Sequence, residues 1–240
     1  MNLKLIPPQK AIVKTTKPLN LTQAGQGGGK SHVMGPLSAM FISNAPKATG
    51  LIAANTREQL TKSTLVRIFK VWRDEFGWEE DEHYVIGKRP PEHFKDHGYT
   101  FDKPHNIIFF INGAIIFLAS LENYKAIDGQ EIAWAMLDET KDTREVAITE
   151  VITGRLRQKT LKLLHPDCDE CEFRFCDTDN PNADKDINPL FIFTSPAKEQ
   201  WLSKMFRLEN HREDFLRVMG SHTEFYQGQT DLENIVIYSS

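Results

Sequence analysis

The stretch LNLTQAGQGGGKSH, residues 19–32, constrains the fold more than any other part of this 240-residue chain. It places four glycines in five residues, Gly25 and Gly27 to Gly29, after a β-rich run and directly before Lys30-Ser31. Glycine lowers both helix and strand propensity, so local structure gives no reason to concentrate it there. Glycines do let consecutive backbone N–H groups converge on phosphate oxygens, and a helix N-terminus behind them adds positive potential. Strand, glycine-rich loop, Lys-Ser and helix is therefore the setting of a phosphate-binding loop. In such a loop Lys30 reaches the β- and γ-phosphates of ATP, and the Ser31 hydroxyl ligates Mg²⁺. The usual pattern is G-x-x-x-x-G-K-[ST]; here Ala24 stands at the first glycine, giving AGQGGGKS. Ala24 suits that place only with a negative φ. The expected nucleotide-binding set is Ala24, Gly25, Gln26, Gly27, Gly28, Gly29, Lys30, Ser31 and His32. A flexible turn that happens to precede Lys-Ser is the competing reading.

The rest of the chain alternates apolar runs with helical patterns. Residues 19–24 read as a buried strand, 31–41 as a helix interrupted or kinked at Gly35-Pro36, and 49–54 as a second strand. Leu65, Ile68, Phe69, Trp72 and Phe76 recur at helical spacing within an amphipathic segment, 56–76. Residues 78–104 read as acidic and proline-rich linker. NIIFFINGAIIFLAS comes next, two apolar runs joined by Asn112-Gly113, a strong hairpin signal because both residues tolerate positive φ. A strand over 132–137, a helix over about 143–156, a polar insertion over 165–186, a strand over 189–194 and a helix through Trp201 and Phe206 complete the pattern. Strands alternating with helices predict an α/β domain with a largely parallel sheet, to which the hairpin is an antiparallel addition.

IAWAMLDET ends a hydrophobic strand on Asp138-Glu139, which puts two carboxylates at the C-terminal edge of the sheet, where ligands sit in open α/β folds. Asp138 is the candidate Mg²⁺ holder and Glu139 the candidate base for an attacking water. A kinase has no need of that base, since its nucleophile is the substrate, so the pair favours hydrolysis. An acidic strand-to-helix cap is the plain alternative.

PPQKAIV, AGQGGGKS, AANTREQL, FLASLENYKAIDGQEIAWAMLDET and IFTSPA occur in an order that resembles bacteriophage terminase large subunits, over roughly residues 8–197. The resemblance implies a P-loop NTPase of the additional-strand, catalytic-glutamate type, with a mainly parallel sheet flanked by helices. One ATPase motor domain would then span residues 1–240: phosphate loop 24–31, Asp-Glu strand 132–139, Cys-rich insertion at about 160–188 and coupling motif 194–196. It implies that Gln9 contacts adenine and that Thr194 and Ser195 couple hydrolysis to movement, although Thr194-Ser195-Pro196 also reads as a helix N-cap. It implies double-stranded DNA as the translocated partner, with a portal or procapsid and a small terminase subunit. It also implies a homo-oligomeric ring when assembled, a monomer in isolation, and action in the cytoplasm of an infected bacterial cell. Many such proteins carry an arginine in the phosphate loop, where this chain has Gln26, and another where it has Asp128. Arg57, Arg144, Arg155 and Arg157 are candidates for the missing cation. A C-terminal nuclease domain is also usual, but too few residues remain at NIVIYSS to form one, so no nuclease activity is expected.

His165, Cys168, Cys171 and Cys176 cluster in HPDCDECEFRFC, which holds all three cysteines. They read either as a structural Zn²⁺ site that folds a small insertion lacking its own core or as a reduced, non-binding thiol loop. An odd cysteine number and this clustering do not fit a secreted disulfide framework. No apolar run approaches the ~20 residues of a membrane span, which excludes a membrane partner. The net charge of −4 excludes a whole surface given to nucleic acid but not a local track such as RLRQKTLK, residues 155–162. That run also reads as a solvated helix end. A helicase-like ATPase and a nucleotide-binding subunit without turnover are the competing functions.

Overall fold

A computed structural model describes residues 4–25, 27–100, 104–127, 129–168, 172–196, 200–211 and 225–238 of the protein; Gln26, Asp128 and Cys171 lie outside the described residues. In chain order the elements are α1 (Pro7–Val13), β1 (Leu19–Ala24), α2 (Lys30–Asn44), β2 (Gly50–Ala54), α3 (Arg57–Gln59), α4 (Leu65–Phe76), β3 (Tyr84–Ile86), β4 (Ile107–Phe110) and β5 (Ile115–Ser120). Beyond these lie β6 (Trp134–Asp138), α5 (Thr153–Arg155), β7 (Leu161–Leu164), β8 (Phe175–Asp177), β9 (Ala183–Asp186), β10 (Leu190–Thr194), α6 (Gln200–Met205), β11 (Phe225–Gln229) and β12 (Glu233–Tyr238). Among the described residues one nine-stranded sheet has the order β11-β12-β1-β10-β6-β2-β5-β4-β3. The six strands from β12 to β5 are parallel, and β11, β4 and β3 add antiparallel edges.

Apolar runs make β2, β6 and β10, and all the central strands are buried because both faces of the sheet are covered. Successive side chains go to opposite faces. Thus Ile52 and Ala54 join the cluster under α1, α2 and α4, whereas Leu51 and Ala53 join the one under α6 and the helical turns at Leu121–Ile127 and Ala147–Ile152. Gly50 is level with Trp134, and a Cβ there would lie 2.2 Å from the indole. The missing side chain is what lets Trp134 stack on Phe41, centroids 4.7 Å apart.

Several expectations change. The helix after the glycine-rich loop runs unbroken from Lys30 to Asn44 through Pro36. Burial of Val33, Met34, Pro36, Leu37 and Phe41 outweighs the hydrogen bond that proline cannot donate. The amphipathic segment 56–76 is helical but contains a π turn at Leu60–Thr64. The hairpin forms, yet only Gly113 in its turn has positive φ, because Asn112 instead uses its side chain, accepting from Ala114 N–H and donating to Ile42 C=O. One arm, β5, also belongs to the parallel block, so the hairpin is not wholly an addition. The 78–104 segment contains β3, and ENIVIY near the end is β12, which lies beside β1.

The polar insertion is a three-stranded antiparallel sheet, β8-β7-β9. Phe173 and Phe175 alternate with Arg174 and pack their rings on Phe41 of α2, at 5.0 and 5.1 Å. The insertion therefore shares the main core. The basic run 155–162 is broken up: Arg157 pairs with Glu131, Lys162 with Asp186, and Gln158 is buried on Thr49 and Tyr99.

Candidate active site

Three parallel strands deliver the site. β10 lies between β1 and β6, with Gln23 level with Thr194 and Phe193 level with Asp138. The C-terminal ends of these strands therefore form one edge. There the loop after β1, Ser195 after β10 and Glu139 after β6 meet.

The loop residues are fixed for different reasons. Ala24 closes β1 in extended geometry, as its place demands. Gly29 has φ 76° as it enters α2, and a Cβ there would sit 2.8 Å from Gln9 Nε2. Gly28 is short of space: a Cβ would lie 2.9 Å from that of Ala24 and 3.2 Å from the Tyr238 ring. Gln9, buried in α1, donates from Nε2 to Gly29 C=O and accepts from Ile6 N–H, so it braces the loop. A carboxamide has two N–H groups and two lone pairs, which leaves one of each for another partner.

Lys30, 5% exposed, donates to the carbonyls of Ala24 and Gly25 at 2.9 and 3.0 Å and to Ser195 Oγ at 3.3 Å. Ser195 Oγ in turn donates to Glu139 Oε2 at 3.2 Å, and Lys30 Nζ lies 3.9 Å from Glu139 Oε1. Glu139 has φ 49° and ψ 50°, a left-handed conformation that costs a non-glycine residue roughly 1–2 kcal/mol. The turn aims its carboxylate at the loop instead of along the sheet. Thr194 is fully buried and its hydroxyl donates to the Ser195 carbonyl.

Asp138 is 1% exposed. Its Oδ2 accepts from Ser31 Oγ at 3.0 Å and Thr64 Oγ1 at 2.7 Å, while Oδ1 is buried without a hydrogen-bond partner. Burial raises its pKa above the ordinary carboxylate value; the Thr64 bond opposes this, the Glu139 charge adds to it, and Ser31 and Lys30 oppose it. Arg67 of α4 donates from Nη1 to Ser31 Oγ at 3.1 Å. A cavity of about 470 Å³ is lined by Gly27, Gly28, Gly29, Lys30, Ser31, His32, Ser63, Arg67 and Glu139. His32 stands at its rim, Nε2 3.6 Å from Glu75 Oε1.

Ser63, Thr64 and Arg67 are absent from the site read in the sequence. Thr64 had a signal: it lies four residues from Leu60 and four from Ile68, a hydroxyl on the apolar stripe of its helix. The π turn just before α4 shifts the phase of that helix by one residue, about 100°. Arg67, three residues beyond Thr64, shares its side of the helix. Of the cations named from sequence, Arg155 and Arg157 flank the backbone bonds of Ile132, before β6, six residues and about 20 Å from Asp138. Arg57 borders a separate cavity with Ser120, Glu122 and Gln130, and Arg144 is exposed.

The cysteine cluster is remote from this edge. Cys176 is buried on β8, His165 Nδ1 accepts from Asp167 N–H, and the Cys168 carbonyl accepts from Arg174. Among the described residues no three His, Cys, Asp or Glu side chains are grouped to hold a metal ion.

No protein-family model matches the sequence, and no curated protein matches it by sequence. The likeness is one of structure. The large terminase of a thermophilic bacteriophage superposes with a TM-score of 0.54 at 13% identity, over 96% of this chain and 45% of that one. The same terminase in complex with ADP gives 0.52 at 13%, over 96% and 44%. The large terminase ATPase domain of Thermus phage P74-26 gives 0.50 at 14%, over 98% and 80%. This chain shares the fold of phage large terminase ATPase domains. With β10 inserted between the loop strand and the Asp-Glu strand, it is a P-loop NTPase fold of the additional-strand type. The chain spans less than half the length of the first of these terminases. Among the described residues no helix is long and apolar enough to cross a membrane.

Proposed function

We propose that this chain is the ATP-hydrolysing motor domain of a viral large terminase subunit, which drives double-stranded DNA into a procapsid. The observation that carries the reading is the convergence of Lys30, Ser31, Asp138, Glu139 and Ser195 on one loop-lined cavity at the strand edge. On this reading the backbone of residues 27–31 cradles the phosphates and Lys30 turns from the Ala24 and Gly25 carbonyls towards them. Gln9 retains one N–H and one lone pair with which to meet adenine.

Ser31 Oγ and Asp138 suit Mg²⁺, a hard cation that takes oxygen donors. The buried, unpartnered Oδ1 of Asp138 is the donor such an ion requires, and the ion would neutralise charge on the β- and γ-phosphate oxygens. Glu139 orients the attacking water and accepts its proton. Ser195, bonded to both Glu139 and Lys30, holds the base in register with the phosphate end of the loop and passes a change there to β10. By the same reading the domain works as a homo-oligomeric ring with a portal and a small terminase subunit, in the cytoplasm of an infected bacterium.

The test is ATP hydrolysis by the purified chain with Mg²⁺, beside Lys30→Ala and Glu139→Gln. Turnover by the wild type, nucleotide binding without turnover by Glu139→Gln and weak binding by Lys30→Ala are expected. A wild type that binds no nucleotide refutes the reading. Stimulation by linear double-stranded DNA, stronger than by single strands, separates a packaging motor from a helicase-like ATPase.

A further inference from the structure

We infer that Arg67 is an intrachain arginine that contacts the terminal phosphate of bound ATP. This rests on the ATPase reading of the same cavity. Two cationic side chains, Lys30 from the loop and Arg67 from α4, line that cavity together with the imidazole of His32. Arg67 Nη1 donates to a hydroxyl, Ser31 Oγ, at 3.1 Å, and among the described residues no carboxylate pairs with its guanidinium. An arginine held on a neutral acceptor at the rim of such a cavity is a cation in want of an anion. A guanidinium offers a planar fork of donors that fits two phosphoryl oxygens at once.

The mounting of Arg67 supports a fixed role. One helical turn earlier, Thr64 is anchored to buried Asp138. One turn later, α4 is pinned to α2, where Val71 meets Gly35 and Trp72 Nε1 donates to the Gly35 carbonyl at 3.2 Å. The backbone of α4 is thereby tied on both sides of residue 67, and only the side chain swings. Its present acceptor is also the hydroxyl assigned to the metal. Were that hydroxyl to ligate a cation, mutual repulsion would favour release of the guanidinium, and the phosphate would be the anion left within its reach. The cation that stabilises transferring phosphoryl charge, an effect worth about 10³–10⁵ in kcat, then comes from the same chain.

The test compares binding of a fluorescent, non-hydrolysable ATP analogue with that of fluorescent ADP, both with Mg²⁺, in wild type, Arg67→Ala and Arg67→Lys. Arg67→Ala is expected to weaken the triphosphate analogue at least tenfold more than ADP and to lower the saturated hydrolysis rate at least a hundredfold. Arg67→Lys is expected to recover part of the triphosphate preference, since it restores the charge without the fork. The thermal midpoint of both variants is expected to match the wild type, because the side chain is exposed at the rim. If Arg67→Ala weakens both nucleotides equally, or neither, while wild type and Lys30→Ala behave as an ATPase pair, the phosphate contact is wrong and the ATPase reading stands. If the wild type binds neither nucleotide, the ATPase reading falls and takes this inference with it.

Discussion

Replacing Asp138 by Asn should change how stability depends on pH, and the direction is set by where the carboxyl sits. Its Oδ2 holds two hydroxyl hydrogen bonds, but its Oδ1 is buried with no hydrogen-bond partner, and burial raises its pKa above the unfolded value of about 4. Between those two values the folded chain keeps a proton that the unfolded chain has released. Folding stability then falls as pH rises through that window, by up to about 1.4 kcal/mol per pH unit, and levels off above the folded pKa. Asn has nearly the same shape and no proton to lose, so it lacks this slope. Urea unfolding of metal-free wild type and Asp138→Asn from pH 4 to 8 gives the difference directly, because the other carboxylates are common to both. Wild type minus variant should decline with pH and then flatten. Adding Mg²⁺ with ADP should stabilise only the wild type, since the ionised carboxyl then has its counterion. A flat difference, or one that favours wild type as pH rises, refutes the reasoning: it would mean that Lys30 and the hydroxyls outweigh burial.

Gly35→Ala places a Cβ 2.6 Å from that of Val71 and should cost about 1–3 kcal/mol in urea unfolding, with partial recovery in the Gly35→Ala, Val71→Ala double variant. Ser195→Ala releases one hold on Glu139 and should lower kcat about tenfold with little change in KM, a split that steady-state kinetics reads. Chelation should change the thermal midpoint little, since Phe173 and Phe175 pack on Phe41 and tie the insertion to the main core. Zinc recovered with the purified protein, and a midpoint that drops on its removal, would establish the four-ligand reading of the cysteine cluster.

The sequence conveyed best whatever one run of residues decides alone. β2, β6 and β10 are short, mostly apolar runs, and the glycine-rich loop is a local composition that stands out by itself. Residues whose role depends on a distant partner stayed hidden. Phe173 and Phe175 alternate with charged neighbours in a polar stretch, and only Phe41, far off in sequence, makes them core. Arg67 is one of several charges on an amphipathic helix, and a π turn that no propensity announces swings it to the loop. β12 could have been read, since NIVIY is a β-branched run, but nothing local says that it pairs with β1. The carboxylates at the end of β6 were legible as a pair; the left-handed turn that sends them to different partners was not.

The small sheet β8-β7-β9 is not a cassette clipped onto a finished domain. Leu161, Leu163, Phe173 and Phe175 belong to the same continuous apolar mass as Val33, Leu37 and Phe41, and α2 is the rod on whose first residue the glycine-rich loop ends. Excising the insertion would strip one side of that rod and leave aromatic rings facing water. A trimmed chain would thus lose the support of its glycine-rich loop through a foundation about three helical turns away. A protein of this fold without this appendage would need another cover for the far end of the same helix.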